Sequence, residues 1–416
     1  MSNKTLIFLC DNYPISAREF FVDDEMRVIA DRFERILVLT SAKPDGAELH
    51  RYVPENMEVK QFSRTELETQ KWESIWRLFT PMVLTEICFV VKTLPMRYWL
   101  QAFKILFVEV HRAFNLKKII ETYCKDAVRH VSTDCIFYSY WHDYKAMALA
   151  LLRRENPNIK CFARAHRWDV FVEENNPPYL PFKKFIIENL TKTISISDAG
   201  KKAFETYLNK DLTEKVVVSR LGKFNDRTPL LHKTNDEFVI CSCSNINPMK
   251  RVHLIVEILS KMKVNNITWI HFGAGYKECM KKIYETIERQ YPQLKYELKG
   301  MVSNDCLLDY YAQNHIDLFI NVSDNEGIPV SIMEALSAGI PVVATNVGGT
   351  SEAVNNHIGF LIERDFDINV TAQLLDNYLM SPSGQQMAYR KKAYEFWKNN
   401  YEAQMNYTNF VSKILC

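Results

Sequence analysis

The sequence predicts an α/β protein built from two domains, each with its own parallel sheet. Its 416 residues are more than one core usually organises and enough for two domains. Short apolar runs alternate with helical stretches in both halves, and strands that alternate with helices form parallel sheets. Between the halves, residues 221–237 are polar and contain Gly222 and Pro229, which is typical of a linker.

The first half predicts a helix over residues 20–33 and a long helical stretch that extends to about residue 130. Around these helices, runs rich in apolar and β-branched residues predict strands. These strands are predicted at residues 6–10, 35–40, 57–62, 135–141, 160–166, 191–197 and 215–220.

The second half repeats this alternation. Strands are predicted at residues 238–245, 266–275, 296–300 and 316–320, with helices from Val252, from Ser303 and over 329–338. The predicted strand 266–275 ends in Gly273-x-Gly275 but lacks the third glycine of the dinucleotide fingerprint. The glycines therefore predict a strand-to-helix turn, and NAD binding is not expected.

The motif from Asn321 to Gly349 carries the chemistry. It places Glu326 in the loop after a buried strand and Glu334 about a turn and a half into the next helix. The carboxyl edge of an open parallel sheet is where ligands bind, and free N–H groups at a helix start favour an anion. Those N–H groups belong to Gly327, Ile328 and Val330, around the Pro329 turn. An acid on either side of an anion site suits a sugar nucleotide.

The spacing E-G-x-P-x-x-x-x-E-A, followed by G-x-P-V-V-A-T-x-x-G-G, resembles the signature of the family-4 retaining glycosyltransferases. That resemblance implies the GT-B fold, with two Rossmann-like domains facing a central cleft and a C-terminal helix that crosses back to the first domain. It implies that Glu326 contacts the donor sugar, that Glu334 holds the ribose hydroxyls and that the intervening amides, with Pro329 setting the turn, hold the diphosphate. The expected divisions are an acceptor-side domain 1–222, a nucleotide-sugar domain 223–385 and C-terminal helices 386–416.

Residues 242–259 resemble the phosphate segment of that family. Lys250 occupies the family's lysine position at a predicted helix start, where its charge and the helix dipole both favour an anion. Asn245 stands where the family arginine is found, and Arg251 replaces a glycine. Asparagine cannot neutralise a phosphate, so Lys250, helped by Arg251 or by an arginine of the other domain, is expected to carry the charge.

In the first half, the sequence R-A-H-R-W-D follows a predicted strand, and His166 matches the histidine that the family places against the donor sugar. A neutral imidazole both accepts from and donates to sugar hydroxyls. Trp141, His142 and Asp169 are candidates for an acceptor subsite, because an aromatic face suits a sugar ring. A purely structural role explains these three residues equally well.

No metal site is expected, and no cofactor beyond the sugar-nucleotide substrate. Asp365 and Asp367 spell a D-x-D motif, but they precede a predicted helix, where an N-cap is expected. Cys241 and Cys243 share one face of a predicted strand and are expected to be buried thiols.

The expected function is a retaining, metal-independent hexosyltransferase that moves a sugar from a nucleotide donor to a glycan in cell-surface polysaccharide synthesis. The same sequence leaves open a GT-B sugar-nucleotide epimerase, and also a non-catalytic sugar-nucleotide-binding subunit, which the missing arginine at Asn245 favours. A product assay distinguishes these alternatives. The net charge of +2 argues against a general nucleic-acid binder.

The segment 71–118 is expected to touch a membrane. It carries eight Lys or Arg residues and three acids, with aromatic and aliphatic residues between them, and basic amphipathic helices of this kind suit an anionic lipid surface. Core helices with snorkelling lysines would give the same pattern. Family enzymes often act on lipid-linked sugars, so a lipid-linked acceptor is expected. The scattered cysteines, a short apolar N-terminus and the lack of a spanning run predict a cytoplasmic protein, peripheral on the inner face of the membrane.

Overall fold

The chain divides into two compact units, unit 1 with residues 1–221 and 404–416 and unit 2 with residues 222–403. The computed structural model describes residues 4–16, 19–42, 51–68, 77–125, 128, 135–233 and 237–415. The predicted elements or candidate residues at positions 71–76, 126–127, 129–134 and 234–236 lie outside these ranges.

Unit 1 contains a seven-stranded parallel sheet in the order β3-β2-β1-β4-β5-β6-β7 within its described residues. Its strands are β1 (Thr5–Cys10), β2 (Arg35–Thr40), β3 (Met57–Gln61), β4 (Cys135–Ser139), β5 (Lys160–Ala165), β6 (Lys192–Ser195) and β7 (Val216–Val218). The order of strands reverses between β1 and β4, where Ile7 pairs with Phe137 on one side and with Leu37 on the other. All seven strands fall within one or two residues of the runs that the sequence predicts.

Helices flank this sheet. They are α1 (Val22–Ile29), α2 (Arg64–Glu68), α3 (Pro81–Thr93), α4 (Trp99–Tyr123), α5 (Tyr144–Glu155), α6 (Lys183–Asn189) and α7 (Asp198–Leu208). Helix α4 packs on α5 through a buried row spaced three or four residues apart, the spacing of one helix face. The row consists of Ala102, Leu106, Val110, Ala113, Leu116 and Ile120. Each leucine or isoleucine of such a row contributes about 1.5–3 kcal/mol by leaving water.

Unit 2 contains a six-stranded parallel sheet in the order β10-β9-β8-β11-β12-β13 within its described residues. The strands are β8 (Phe238–Cys243), β9 (Ile267–Phe272), β10 (Lys295–Gly300), β11 (Leu318–Asn321), β12 (Val342–Thr345) and β13 (Gly359–Ile362). The helices are α8 (His253–Leu259), α9 (Lys277–Gln290), α10 (Asn304–Gln313), α11 (Val330–Ser337), α12 (Thr350–Ala353), α13 (Ile368–Leu379) and α14 (Ser383–Asn400). The last helix, α15 (Ala403–Phe410), begins at the boundary, and its residues from 404 onward group with unit 1. Its strand order is that of a dinucleotide-binding sheet, with the reversal between β8 and β11.

The C-terminal boundary and the linker differ from the prediction. The predicted tail 386–416 divides at residue 403, because α14 is tied to unit 2: Arg390 donates to the backbone oxygens of Ile316 and Leu230. The remainder, residues 404–416, groups with unit 1, where Phe410 lies against the Arg164 guanidinium. The predicted linker is also more fixed than its composition indicates, since Arg227 pairs with two acids of α10.

In the part of the chain that the structure describes, no helix combines the length and the apolar character needed to cross a bilayer.

Candidate active site

The candidate residues follow the strands at which each sheet reverses its order. In unit 2, Lys250 follows β8 and Glu326 follows β11; in unit 1, Trp141 follows β4. A crevice opens outside the carboxyl ends of neighbouring strands whose crossover helices lie on opposite faces of the sheet. Each unit therefore places its candidate residues where an open parallel sheet binds ligands.

Glu326 is held firmly by its neighbours in unit 2. Its side chain is buried, and Oε1 accepts hydrogen bonds from Ser323 Oγ at 2.6 Å, from Asn321 Nδ2 at 3.2 Å and from Lys250 Nζ. Burial raises the pKa of Glu326, but the charge of Lys250 and these hydrogen bonds outweigh it and hold the pKa below its ordinary value. Glu326 is therefore an oriented carboxylate at neutral pH.

Lys250 is held from its own side of the crevice by a short turn. Asn247 caps this turn, its Oδ1 accepting from the backbone N–H of Lys250 at 3.1 Å. The helix α8 begins only at His253, so Lys250 lies three residues before the helix and not at its start as predicted. One ammonium proton is directed at Glu326, and two further donors remain on the same group. The pair therefore places a cation beside the carboxylate at the sheet edge.

Arg251 shows why a glycine is typical at its position. Its backbone is left-handed, with φ of 47°, a conformation that costs a residue with a side chain roughly 1–2 kcal/mol. Its guanidinium donates to the backbone oxygens of Val322 at 2.8 Å and Ser323 at 3.3 Å and lies 3.6 Å from Asp324. Arg251 thus fastens the Lys250 turn to the end of β11, which favours a positioning role over the predicted contact with phosphate.

The backbone between the two acids is fixed by the turn after β12. Gly348 has φ of 52°, and a Cβ there would lie 1.7 Å from the carbonyl oxygen of Glu326. Gly349 donates its N–H to the carbonyl of Gly327 at 2.8 Å. Among the hydrogen bonds of residues 237–415, none uses the N–H of Gly327, Ile328 or Val330. These amides at the start of α11, with Pro329 as its N-cap residue, are thus available to an anion.

Glu334 lies buried on α11. Its Oε1 accepts from Asn304 Nδ2 at 2.5 Å and is 4.0 Å from Lys223 Nζ. Sequence reasoning missed both partners. Lys223 lies in the segment predicted as a linker, and Asn304 is one of several polar residues at the start of α10, so neither carried a motif.

Asn245 follows β8 and is exposed. The next residue, Ile246, joins the end of β8 to the glycine turn after β9, its N–H donating to the carbonyl of Ala274 at 2.9 Å. That turn connects β9 to α9, which confirms the prediction that Gly273 and Gly275 form a strand-to-helix turn. A Cβ on Gly275 would lie 1.8 Å from the carbonyl oxygen of Ile246. The neutral amide of Asn245 is therefore carried on a closely packed backbone.

In unit 1, His166 lies just beyond the end of β5 and is buried against aromatic rings. Its ring centroid is 4.8 Å from that of Tyr140 and 4.7 Å from that of Trp141. Burial, followed by the positive charge of Arg164, lowers the pKa of His166 to about 3, so its imidazole is neutral at pH 7. The imidazole hydrogen-bonds the backbone of Tyr140, while its buried Nε2 has no partner among the described residues. An unpaired ring nitrogen of this kind is free to accept a ligand hydroxyl.

His142 and Asp169 lie in the interior of unit 1. Asp169 accepts from the backbone N–H of His166 at 2.5 Å and from that of His142 at 2.8 Å, so it joins the ends of β5 and β4. The His142 ring bonds Thr193 Oγ1 and Lys183 Nζ and is fully buried. Direct contact with an acceptor, as predicted for both residues, does not fit this burial, and the geometry favours the structural alternative. They position Trp141 and His166.

Trp141 keeps part of its surface exposed, and its neighbours were missed in the sequence. Its indole N–H donates to Glu19 Oε1 at 2.5 Å, and the Glu19 carboxylate also accepts from the backbone N–H groups of Asn12 and Tyr13. The ring of Trp168, which is exposed, lies 5.7 Å from that of Trp141. Trp168 lies within the R-A-H-R-W-D motif, so its position beside His166 was a signal available in the sequence.

Within the described residues, no three His, Cys, Asp or Glu side chains are grouped as a metal site requires. Asp367 caps α13, its side chain accepting from the N–H groups of Asn369 and Val370 at 2.7 and 3.0 Å. This confirms the predicted N-cap. Cys241 is buried on β8 as predicted, whereas Cys243 is only half-buried.

Comparison with known proteins agrees with this geometry. Residues 225–396, which include Asn245, Lys250, Glu326 and Glu334, match the family described as glycosyl transferases group 1. The chain resembles glycosyltransferases of bacterial polysaccharide pathways. Its fold is the GT-B fold, as predicted.

Two relatives show the extent of the likeness. The O-antigen biosynthesis glycosyltransferase WbnH of Escherichia coli is 24% identical over 218 residues, which are 50% of this chain and 58% of the relative. The putative colanic acid biosynthesis glycosyltransferase WcaL of Escherichia coli K12 is 25% identical over 201 residues, covering 46% of this chain and 49% of the relative. The matches thus span about half the length of these curated relatives.

A solved structure matches along nearly the whole chain. The Anabaena protein HepE, solved with UDP and glucose, superposes with a TM-score of 0.66 at 16% identity and covers 99% of both chains. At this identity the likeness shows the fold.

Proposed function

We propose that this protein is a glycosyltransferase that moves a hexosyl group from a nucleotide-sugar to a glycan acceptor in cell-surface polysaccharide synthesis. The observation that carries the proposal is the arrangement after β11: the oriented carboxylate of Glu326, the Lys250 ammonium bonded to it, the free amides that open α11 and the buried Glu334 on the same helix. The relatives WbnH and WcaL are named as glycosyltransferases of O-antigen and colanic acid synthesis, which supports the class of acceptor.

The charges of the site and a protein of similar fold both support a nucleotide-sugar as the donor. A nucleoside diphosphate needs positive charge and N–H donors for its phosphates and acceptors for its ribose hydroxyls. Lys250 and the amides of Gly327, Ile328 and Val330 are donors, and Glu334 is an acceptor. HepE, which shares the fold, was solved with UDP and glucose, and this supports a nucleotide-sugar donor here.

We propose that the reaction retains the anomeric configuration. The bond between the anomeric carbon and the diphosphate oxygen breaks, and a bond from the acceptor hydroxyl oxygen forms on the same face of the sugar. The hydroxyl proton passes to the leaving diphosphate, so no protein carboxylate needs to be the nucleophile. In unit 2, Glu326 orients hydroxyls of the donor sugar, while Lys250 and the α11 amides stabilise charge that develops on the diphosphate. In unit 1, the neutral His166 hydrogen-bonds a sugar hydroxyl.

We propose that no metal ion is required, because Lys250 and the N-terminal end of α11 supply positive charge at the diphosphate. We also propose that the acceptor is lipid-linked and that the enzyme binds the inner face of the cytoplasmic membrane. Helices α3 and α4 support this membrane contact. Met96, between the two helices, is 75% exposed, and Leu100, on α4, is 77% exposed. The exposed basic residues Lys92, Arg97 and Lys104 are close to them in the chain. The acid Glu86 points inward instead, where it accepts from Tyr179 Oη and from the N–H of Phe182.

The experiment that tests the function starts with a thermal-shift screen of nucleotide-sugars, since a ligand at 100 times its Kd stabilises by about 2.7 kcal/mol. The donor found there is then incubated with lipid-linked acceptors in the presence and absence of EDTA, and the product linkage is read by NMR. We expect a new glycoside with the donor's anomeric configuration and unchanged rate in EDTA. Inversion of configuration would contradict the same-face reaction, and loss of activity in EDTA with rescue by manganese or magnesium would contradict metal independence.

A non-catalytic sugar-nucleotide-binding subunit is the second candidate, and Asn245 is the observation that favours it. An exposed neutral amide stands where the family has an arginine, so the site lacks one positive charge that would face the diphosphate. Binding of a nucleotide-sugar without turnover across the same acceptors would support this candidate. Asn245→Arg is the matched variant: on a transferase it should tighten diphosphate binding or leave it unchanged, and on a binding subunit it should not produce turnover.

A further inference from the structure

We infer that Trp168 forms the stacking face of a saccharide subsite in unit 1, and that His166 hydrogen-bonds a hydroxyl of the bound sugar. The inference rests on the proposed function for the identity of the ligand as an acceptor sugar, but the subsite itself is argued from unit 1. Neither Trp168 nor its support by Trp141 and Glu19 follows from the family motif.

The first argument is the exposure of a large ring that is nevertheless fixed in place. Trp168 is 41% exposed, although its loop is tied down on both sides. Asn175 Nδ2 donates to the Trp168 carbonyl at 3.0 Å, and the adjacent Asp169 side chain anchors the N–H of His166. A tryptophan held in position with one part of its ring in solvent exposes apolar surface that a bound ring would cover.

The second argument is the support beneath that ring. The Trp141 ring lies 5.7 Å from the Trp168 ring at an interplanar angle of 38°, and the Trp141 indole N–H is held by Glu19. Glu19 has left-handed backbone geometry, with φ of 59°, and its carboxylate also binds the backbone of the loop after β1. The two tryptophans are therefore joined to the ends of β1, β4 and β5, the elements that border the reversal point of the sheet.

The third argument is the presence of unpaired polar atoms in the same cluster. His166 Nε2 and Tyr140 Oη are both buried, and neither has a hydrogen-bond partner among the described residues. Buried polar atoms are nearly always paired, so two such atoms in rings 4.8 Å apart point to a missing partner. A sugar supplies what the cluster lacks, since its apolar C–H face covers an indole and its hydroxyls reach an imidazole nitrogen.

The test measures saccharide binding directly, with saturation-transfer NMR on the full-length protein in the presence of excess UDP. The probes are the methyl glycosides of glucose, galactose, mannose and N-acetylglucosamine. We expect at least one glycoside to receive saturation mainly on the C–H groups of one ring face. Trp168→Ala should weaken its binding about tenfold or more, while Trp168→Phe should keep most of it.

Two controls separate this role from a general effect. Tyr284, on α9 of unit 2, is likewise 41% exposed, so Tyr284→Ala removes a comparable exposed aromatic ring and should leave glycoside binding unchanged. The affinity for UDP, measured by calorimetry, should be the same in wild type and Trp168→Ala. His166→Gln should also weaken binding of the glycoside without changing the exposure of the tryptophans, which is checked by the tryptophan emission wavelength.

The outcomes distinguish the subsite from the proposed function. If wild type transfers sugar but Trp168→Ala binds glycosides as well as wild type does, the subsite is refuted and the transferase stands. If no sugar is transferred but glycoside binding depends on Trp168, the subsite stands and the transferase is refuted. Competition for the Trp168 contact by uridine, in place of a glycoside, would show that the ring stacks on a nucleobase and would overturn the inference.

Discussion

At the scale of the residue, Glu334 should set the affinity for the nucleotide. A buried carboxylate that accepts two ribose hydroxyls makes charge-assisted bonds of about 1.5–3 kcal/mol each. We expect Glu334→Ala to weaken binding of a nucleoside diphosphate in calorimetry by about a hundredfold or more, since the two bonds together contribute about 3 kcal/mol or more. Glu288→Ala is the control, because Glu288 is an exposed acid near the C-terminal end of α9. Equal affinity of wild type and Glu334→Ala would exclude the ribose role.

Glu326 should affect the chemical step more than the binding of the nucleotide. Glu326→Gln keeps the shape and the neighbours Ser323 and Asn321 but removes the charge that Lys250 and these residues stabilise. We expect turnover to fall by about ten- to a hundredfold, since a hydrogen bond to a charged group contributes about 1.5–3 kcal/mol. Diphosphate affinity should change less than turnover does.

The pKa of Glu326 adds a pH signature to this variant. Because the pKa is lowered on folding, the stabilisation it provides is present above the ordinary pKa of about 4.3 and is lost as the pH falls through the folded value. Between pH 5 and 8 the difference in the free energy of unfolding between wild type and Glu326→Gln should therefore stay constant. Normal turnover at saturation combined with lost diphosphate binding would reverse the assignment.

His166 should make the fold sensitive to acid. Its pKa is lowered to about 3 on folding, so below the unfolded value of about 6.5 the unfolded chain binds a proton that the folded chain does not. Stability is then full above pH 6.5 and falls as the pH falls toward 3. Between pH 7 and pH 5, we expect wild type to lose about 2 kcal/mol more than His166→Gln does. Parallel thermal unfolding midpoints of the two proteins over this range would contradict a buried neutral His166.

At the scale of the element, the turn after β12 positions the loop that contains Glu326. Three glycine substitutions separate the cost of a left-handed backbone from the cost of a steric contact with the Glu326 carbonyl. Gly384→Ala meets open space on α14, Gly300→Ala meets open space at φ of 68°, and Gly348→Ala meets the Glu326 carbonyl at φ of 52°. We expect no loss of stability for the first and a loss of about 1 kcal/mol for the second. The third should lose more than the second.

Only Gly348→Ala should also weaken diphosphate binding, because displacement of Glu326 moves the amides that follow it. Thermal unfolding and calorimetry on the three purified variants measure both effects. If Gly348→Ala were no worse than Gly300→Ala in stability and bound diphosphate normally, the contact between the two turns would not position the site.

At the scale of the whole molecule, the basic face of α3 and α4 should bring the enzyme to anionic membranes. Each basic residue near such a surface contributes about 1 kcal/mol, and salt screens the attraction. We expect the protein to sediment with anionic liposomes at low salt and to be released as salt rises. Replacement of Lys92, Arg97 and Lys104 with Gln should weaken this binding without lowering the thermal unfolding midpoint.

The matched control replaces three exposed lysines elsewhere, Lys184, Lys202 and Lys277, and so changes the net charge equally. It should sediment as wild type does. Equal partition of wild type to neutral and anionic liposomes, or none to either, would return α3 and α4 to a role as core helices and would favour a soluble acceptor.

What the sequence determined by itself was local and periodic. Alternating apolar runs and helical spacing specify the strands and helices, because burial of one face depends on residues close in the chain. The spacing of Glu326 and Glu334 was also sufficient to place both acids at one strand–helix junction. The division of the tail at residue 403 was not predictable, since it depends on where Arg390 finds its carbonyl partners.

Only the tertiary structure decided which of the candidate residues keep atoms available for a ligand. His142 and Asp169 have the same kind of sequence context as Trp141 and His166, yet the structure ties the first two into hydrogen bonds at the ends of β4 and β5. Among the described residues, His166 keeps a ring nitrogen without a partner, and Trp141 keeps part of its surface exposed. Burial and the choice of partner depend on strands that are distant in sequence, which no local pattern records. For the same reason the ends of β1, β4 and β5 bring Glu19, Trp141 and Trp168 together, although more than a hundred residues separate the first from the others.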